Sequence, residues 1–194
     1  MKRVELTGII ITGLLIVLRI VFGTFFNASL MVMLVLMAIY YLWFGFFLFN
    51  NVTHEQLFTK HDRGKFNLFN ISSSIIMGVV YSFTVISIMF ALFFYSKMNL
   101  MLGSSFFLLL MSLIFSIIYQ NYYNVEKKYL HQFYIRSAAY GIICLFLLLT
   151  PVEKRLKVLF SDHPNFIEAY LDYRENPDDP KAEEELRKQR NRFR

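Results

Sequence analysis

The chain has 194 residues, of which 56% are hydrophobic, 18% aromatic and only 18% charged. In soluble domains about a quarter of all residues are charged. Here the fraction is lower and the charged residues avoid the long apolar runs, so the composition excludes an ordinary soluble domain. The single cysteine, Cys144, excludes a disulfide framework or a cysteine-based metal site within one chain. We therefore predict an all-α, polytopic helical membrane protein.

The net charge of +6 lies entirely in the apolar part of the chain. Residues 1–150 carry ten Lys and Arg against four Asp and Glu, whereas residues 151–194 carry ten of each kind. This placement predicts contact with anionic lipid head groups. It also divides the chain into a predicted transmembrane domain, residues 1–152, and a small polar C-terminal tail, residues 153–194, which we expect to be helical and cytoplasmic.

Four segments have the length and low charge of membrane-spanning helices, since about 20 helical residues cross a hydrocarbon core of about 30 Å. They cover about residues 6–26, 28–49, 71–95 and 100–119. A fifth apolar segment, at 137–152, offers only 14 residues between Arg136 and Pro151. That length fits a short fifth helix that is either a span or a re-entrant segment.

Lys and Arg in the flanks of the spans predict the orientation, because cytoplasmic loops carry the excess of positive charge. With a cytoplasmic N-terminus, eight such residues lie inside. If the fifth segment crosses the membrane, four Lys and Arg residues lie outside. If it does not cross, eleven lie inside and one lies outside. Both counts place the N-terminus in the cytoplasm of a multi-pass cell-membrane protein. The second favours four crossings, a shallow fifth helix and a cytoplasmic C-terminus.

Arg19 is the one residue within the four spans that is charged at neutral pH. A guanidinium near a span centre costs about 2.5–3.5 kcal/mol on insertion scales, and a long side chain lowers that cost by extending toward the head groups. We expect Arg19 either to contact lipid in this way or to contact a polar partner. The four spans contain no acidic residue, so an ion pair within the membrane would need another molecule.

Small residues recur four apart in the third span, at Ser74, Gly78 and Ser82. Such a stripe lets two helix backbones approach closely in a membrane. We interpret it as a helix-packing stripe, used within the chain or against another subunit.

The sequence contains one candidate catalytic site. His54, His61 and Asp62 share the loop between the second and third spans, and His131 lies in the next loop on the same predicted side. A metal or acid–base site would need these groups to converge, and their spacing does not require it. We expect no catalytic residues, no metal and no cofactor, and hence no enzyme activity.

The tail contains two kinds of segment. Residues 153–173 predict short amphipathic helices that lie on the membrane or dock on a partner. Residues 181–194 place Glu183, Glu184 and Glu185 before five basic residues, an order that suits a solvated helix. Its basic end offers the one predicted contact with nucleic acid.

Three hypotheses of function follow. The first is a non-catalytic accessory subunit that assembles with a protein partner or forms a homo-oligomer. The second is an oligomeric pore or permeabilising effector, for example in a CRISPR-type antiviral defence system, with hydroxyl side chains lining the pore. The third is a small lipid-processing enzyme that uses the loop with His61 and Asp62.

Overall fold

A computed structural model describes residues 2–50, 68–123 and 127–192, and every regular element in these ranges is helical. The predicted all-α class is therefore confirmed. The long helices are α1 (Lys2–Phe22), α2 (Asn27–Asn50), α3 (Leu68–Leu92), α4 (Met98–Tyr123) and α5 (Lys127–Leu149). Three shorter helices follow, α6 (Val152–Leu159), α7 (Pro164–Glu175) and α8 (Pro180–Asn191).

Three helical segments of the described residues are long and apolar enough to cross a membrane: Arg3–Gly45, Ser72–Leu92 and Met98–Ile118. A fourth is added if Phe133–Leu149 and Val152–Leu159, which meet at 103°, count as one span. Helices with the length and apolar composition predicted for spans are therefore present. The helix that contains the fifth apolar segment begins earlier than predicted, because α5 starts at Lys127 and includes Arg136.

The segment Arg3–Gly45 is a hairpin and not one long helix. The Tyr41 hydroxyl lies 3.0 Å from the Glu5 carboxylate, whereas 36 residues of unbroken helix would separate them by roughly 54 Å. A 3-10 turn, Gly23–Phe26, joins α1 to α2, and Gly23 adopts a φ of 71°. Glycine reaches this left-handed region without steric cost, so the chain can reverse there.

The chain forms two compact units. The first, here called the core unit, comprises Met1–Gly8 and Leu34–Leu149. The second, here called the turn–tail unit, comprises Ile9–Met33 and Thr150–Arg194. The part of the chain predicted as a separate polar tail thus shares a unit with the connection between the first two long helices.

In the core unit, α3, α4 and α5 pack side by side. The Tyr81 hydroxyl of α3 lies 2.5 Å from Ser137 Oγ of α5, and Ser105 Oγ of α4 lies 3.7 Å from Cys144 Sγ of α5. Helix α3 is the most enclosed, with 67% of its apolar span buried. Its polar and apolar side chains therefore build the interior of this unit.

In the turn–tail unit, the tail helices bury their own apolar faces. Leu156 of α6 is fully buried, and Phe160 packs on Phe166 of α7 with 4.7 Å between ring centroids. Ala169 of α7 and Leu186 of α8 are also buried. The amphipathic pattern of the tail is therefore used for packing inside this unit.

Candidate functional site

The core unit contains a buried ion pair, between Glu5 of α1 and Arg136 of α5. Arg136 Nε donates to Glu5 Oε1 at 2.6 Å, and its terminal nitrogen donates to Oε2 at 2.5 Å. The side chains of Arg136 and Glu5 are only 13% and 6% exposed. A two-point contact of a planar guanidinium with a carboxylate is strong and directional, so it fixes α5 against the start of α1.

Three tyrosines extend this ion pair into a polar cluster. Tyr41 donates to Glu5, and Tyr140 donates to the Tyr41 hydroxyl at 3.0 Å. The rings of Tyr41, Tyr81 and Tyr140 lie 5.6–5.8 Å apart. Because each hydroxyl finds a partner, the cluster satisfies buried polar groups as protein interiors require. These groups bond to each other, which is typical of a structural network.

The turn–tail unit contains a second cluster, where residues after α6 meet the end of α1. The Arg19 guanidinium lies over the Phe160 ring, 5.0 Å from its centroid, and the side chain is 1% exposed. Burial disfavours the charged guanidinium of Arg19, and the negative charge of Asp162 offsets part of this cost. The structure therefore buries Arg19 against its own chain, whereas the sequence predicted contact either with lipid or with a polar partner.

Asp162 joins the tail to the turn between α1 and α2. Its Oδ2 accepts from the Thr24 backbone N–H at 2.8 Å and from the Thr24 hydroxyl at 2.9 Å. Partial burial favours the protonated acid, but these hydrogen bonds outweigh it and lower the pKa of Asp162 below its usual 3.8. A Cβ on Gly23 would lie 2.3 Å from the same oxygen. Only glycine fits under this carboxylate.

Thr24, His163 and Asp162 are the residue types of a nucleophilic triad, but their geometry is different. His163 Nε2 lies 2.7 Å from the Thr24 hydroxyl and 3.5 Å from Asp162 Oδ2. In a triad the carboxylate orients the imidazole through its other ring nitrogen. Here the Thr24 hydroxyl and Asp162 Oδ2 both lie near the same ring nitrogen, His163 Nε2, and the Thr24 hydroxyl donates to Asp162. The arrangement suits a structural contact.

The predicted stripe of Ser74, Gly78 and Ser82 lies in buried positions on α3. A Cβ on Gly78 would lie 2.7 Å from the Tyr41 backbone oxygen, and one on Gly45 would lie 2.7 Å from Gly78 Cα. The backbones of α2 and α3 thus touch at two glycines. The sequence interpretation included Gly78 and missed Gly45.

The predicted loop site is largely outside the described residues, which exclude His54, His61 and Asp62. His131 is exposed on α5. In the part of the chain that the structure describes, no group of three or more His, Cys, Asp or Glu could hold a metal ion.

The partners of these clusters were not evident from the sequence, because Glu5 and Arg136 lie 131 positions apart and Thr24 and Asp162 lie 138 apart. A usable signal was present for the first pair, since opposite charges border two apolar segments on the same predicted side. No family model, no curated protein sequence and no solved structure matches this chain.

Proposed function

We propose that this chain is a multi-pass helical protein of the cell membrane, with a cytoplasmic N-terminus, that acts without catalysis by assembling with other membrane proteins or with copies of itself. The observation that carries this proposal is the uneven burial of its apolar segments. Two-thirds of the α3 span is buried, whereas only 6% of the apolar window in Arg3–Gly45 is buried. Helix α1, with Leu14, Val17 and Val21 more than half exposed, thus offers apolar side chains to lipid or to a partner.

The fate of the buried polar groups supports a non-catalytic role. Glu5, Arg136, Tyr41 and Tyr140 bond to one another, Tyr81 bonds to Ser137, and Asp162 accepts from Thr24. An active site places polar groups in a concave pocket, where they can reach a substrate. In these two clusters the functional groups are used to join helices.

The same reasoning argues against the pore hypothesis. Thr84 and Ser87 are fully buried and donate to the carbonyl oxygens of Val80 and Phe83 in their own helix, at 2.8 Å each. Ser74, Ser82 and Ser116 are buried as well. A pore formed by several chains would need such hydroxyls on an exposed face. Among the hydroxyls predicted to line a pore, Ser112 is half-buried and the other five are buried within the chain.

Native mass spectrometry of the protein, purified in a mild detergent from its own membranes, tests the assembly proposal. We expect a complex of fixed stoichiometry that is heavier than the 23.0 kDa chain. A lone monomer under several detergents would overturn the proposal. Liposomes that hold the purified protein at high density should stay tight to ions, and steady conductance would favour the pore instead.

A further inference from the structure

The contacts of α5 show how deep this helix reaches in the core unit. Near its middle, Ser137 and the carbonyl of Phe133 meet the Tyr81 hydroxyl of α3. Further along, Cys144 meets Ser105 near the start of α4, and a Cβ on Gly141 would lie 4.0 Å from the Phe106 ring. Helix α5 therefore packs against α3 and α4 over most of its apolar length.

The direction of α5 follows from the same contacts. Residues late in α5 meet residues early in α4, so the two helices are antiparallel, as helices joined by short connections usually are. A five-residue turn likewise reverses the chain between α3 and α4. Helices α3 and α5 thus run in the same direction.

The two helices also end at the same level. From Tyr81 to the end of α3 at Leu92 the rise is roughly 17 Å, and from Ser137 to the end of α5 at Leu149 it is roughly 18 Å. A re-entrant segment would turn back before that level. Instead, the chain leaves α5 on the face where α3 passes into α4.

The turn–tail unit supplies an independent argument. Helix α1 has 21 residues and so rises roughly 32 Å, about the thickness of a hydrocarbon core. If α1 crosses, the turn that follows it lies on the face opposite to the N-terminus. Asp162 bonds to Thr24 in that turn, so the tail is held at the same face.

We propose that α5 is a full transmembrane crossing and that the chain ends on the membrane face opposite to its N-terminus. This inference rests on the proposed membrane function and deepens it, since a partner would reach the charged surface of α8 from that compartment. It replaces the sequence expectation of a shallow fifth helix and a cytoplasmic tail. The distribution of eight Lys and Arg on the N-terminal side against four on the other still fits a cytoplasmic N-terminus.

Cysteine labelling in intact cells tests the proposal, with Cys144→Ala as the background. Single cysteines replace three exposed residues: Arg3 at the N-terminus, Ser96 in the turn between α3 and α4, and Glu184 on α8. A membrane-impermeant maleimide is applied before and after permeabilisation, and labelling in detergent shows that each site can react. We expect the Ser96→Cys and Glu184→Cys proteins to label alike and the Arg3→Cys protein to show the opposite pattern.

Labelling of Glu184→Cys in step with Arg3→Cys, and opposite to Ser96→Cys, would overturn the proposal. If the Ser96→Cys and Glu184→Cys proteins label only after permeabilisation and the Arg3→Cys protein labels in intact cells, the crossing of α5 is supported and the orientation of the chain is reversed. Extraction by alkaline carbonate separates this result from the underlying membrane proposal. Release of the protein into the carbonate supernatant would overturn both, whereas retention with the wrong labelling pattern would overturn the crossing of α5 alone.

Discussion

Arg136 and Arg19 are both largely enclosed by the protein, and their charges are stabilised in different ways. Arg136 meets a carboxylate through two short hydrogen bonds, in a cluster that includes three tyrosines. Arg19 lies over an aromatic ring, with the charge of Asp162 acting on it. Both contacts join α1 to a segment more than 130 residues later in the chain, so each unit contains a charge-based contact between distant parts of the sequence.

A charged residue in or beside an apolar run therefore cannot be interpreted from its sequence neighbours alone. Arg136 borders an apolar segment and Arg19 interrupts one, yet both are less exposed than a lipid-facing arginine would be. A buried ion pair depends strongly on geometry, whereas an arginine over a ring depends on contact area and desolvation. The two units should therefore respond differently to the loss of one partner.

The largest effect is expected from breaking the ion pair of the core unit. Glu5→Gln leaves the Arg136 guanidinium buried without its carboxylate, and removing one partner of a buried pair costs about 3–5 kcal/mol. We expect a large drop in the thermal unfolding midpoint in detergent, measured by circular dichroism. Arg136→Met should show a similar drop.

The double variant Glu5→Gln/Arg136→Met is the control, because it removes both charges. It should be less destabilised than the sum of the single variants, which would show that the two side chains are coupled. Additive losses would mean that the ion pair contributes little and that the tyrosine cluster alone holds α1 in the core unit.

The next largest effect concerns the backbone contact in the same unit. In Gly78→Ala the new methyl group would meet the Tyr41 carbonyl oxygen at 2.7 Å, so α2 and α3 must move apart. Overpacking of this kind costs about 1–3 kcal/mol. Gly103→Ala on α4 is the matched control, because nothing lies within 4 Å of its Cβ.

We expect Gly103→Ala to be neutral or slightly stabilising, since alanine is the better helix former by about 0.5–1 kcal/mol. Unfolding midpoints of the two variants measure the difference. Equal midpoints would show that the α2–α3 crossing adapts freely and that the core unit depends mainly on its ion pair.

The sequence predicts the helical class and the apolar segments well, because both follow from local composition and length. The periodicity of small residues likewise indicated Gly78, which lies where two backbones touch. The partner of Arg19 could not be predicted, because it depends on which segments of the chain meet in space, whereas the opposite charges of Glu5 and Arg136 at the borders of two apolar segments gave a usable signal. The length of α5 was underestimated because Arg136 was interpreted as the polar boundary of the segment. The ion pair with Glu5 instead lets Arg136 lie within the helix, nine residues after its start at Lys127.

A smaller effect is expected from the contact of Arg19 in the turn–tail unit. Phe160→Leu removes the ring under the guanidinium, and a desolvated interaction of this kind contributes about 2 kcal/mol. In a double-mutant cycle with Arg19→Leu, we expect a coupling of that order, measured from unfolding midpoints. Phe107→Leu, at an exposed position on α4, is the matched control and should show no coupling with Arg19→Leu. Equal couplings in both cycles would mean that the ring does not stabilise the charge.

The smallest effect is a pH dependence that distinguishes the turn–tail unit. The pKa of Asp162 is lowered on folding, because the hydrogen bonds from Thr24 outweigh the effect of burial. Its contribution to stability is therefore complete well above pH 3.8 and is lost as the pH falls through the lower folded value. The midpoint difference between wild type and Asp162→Asn should be constant near neutral pH and should shrink in acid. Asp178→Asn, exposed between α7 and α8, should follow wild type at every pH. If the unfolding midpoint of Asp162→Asn also equals that of wild type at every pH, then the carboxylate does not stabilise the contact between the tail and the turn. The contact of Arg19 with Phe160 would then stabilise the unit.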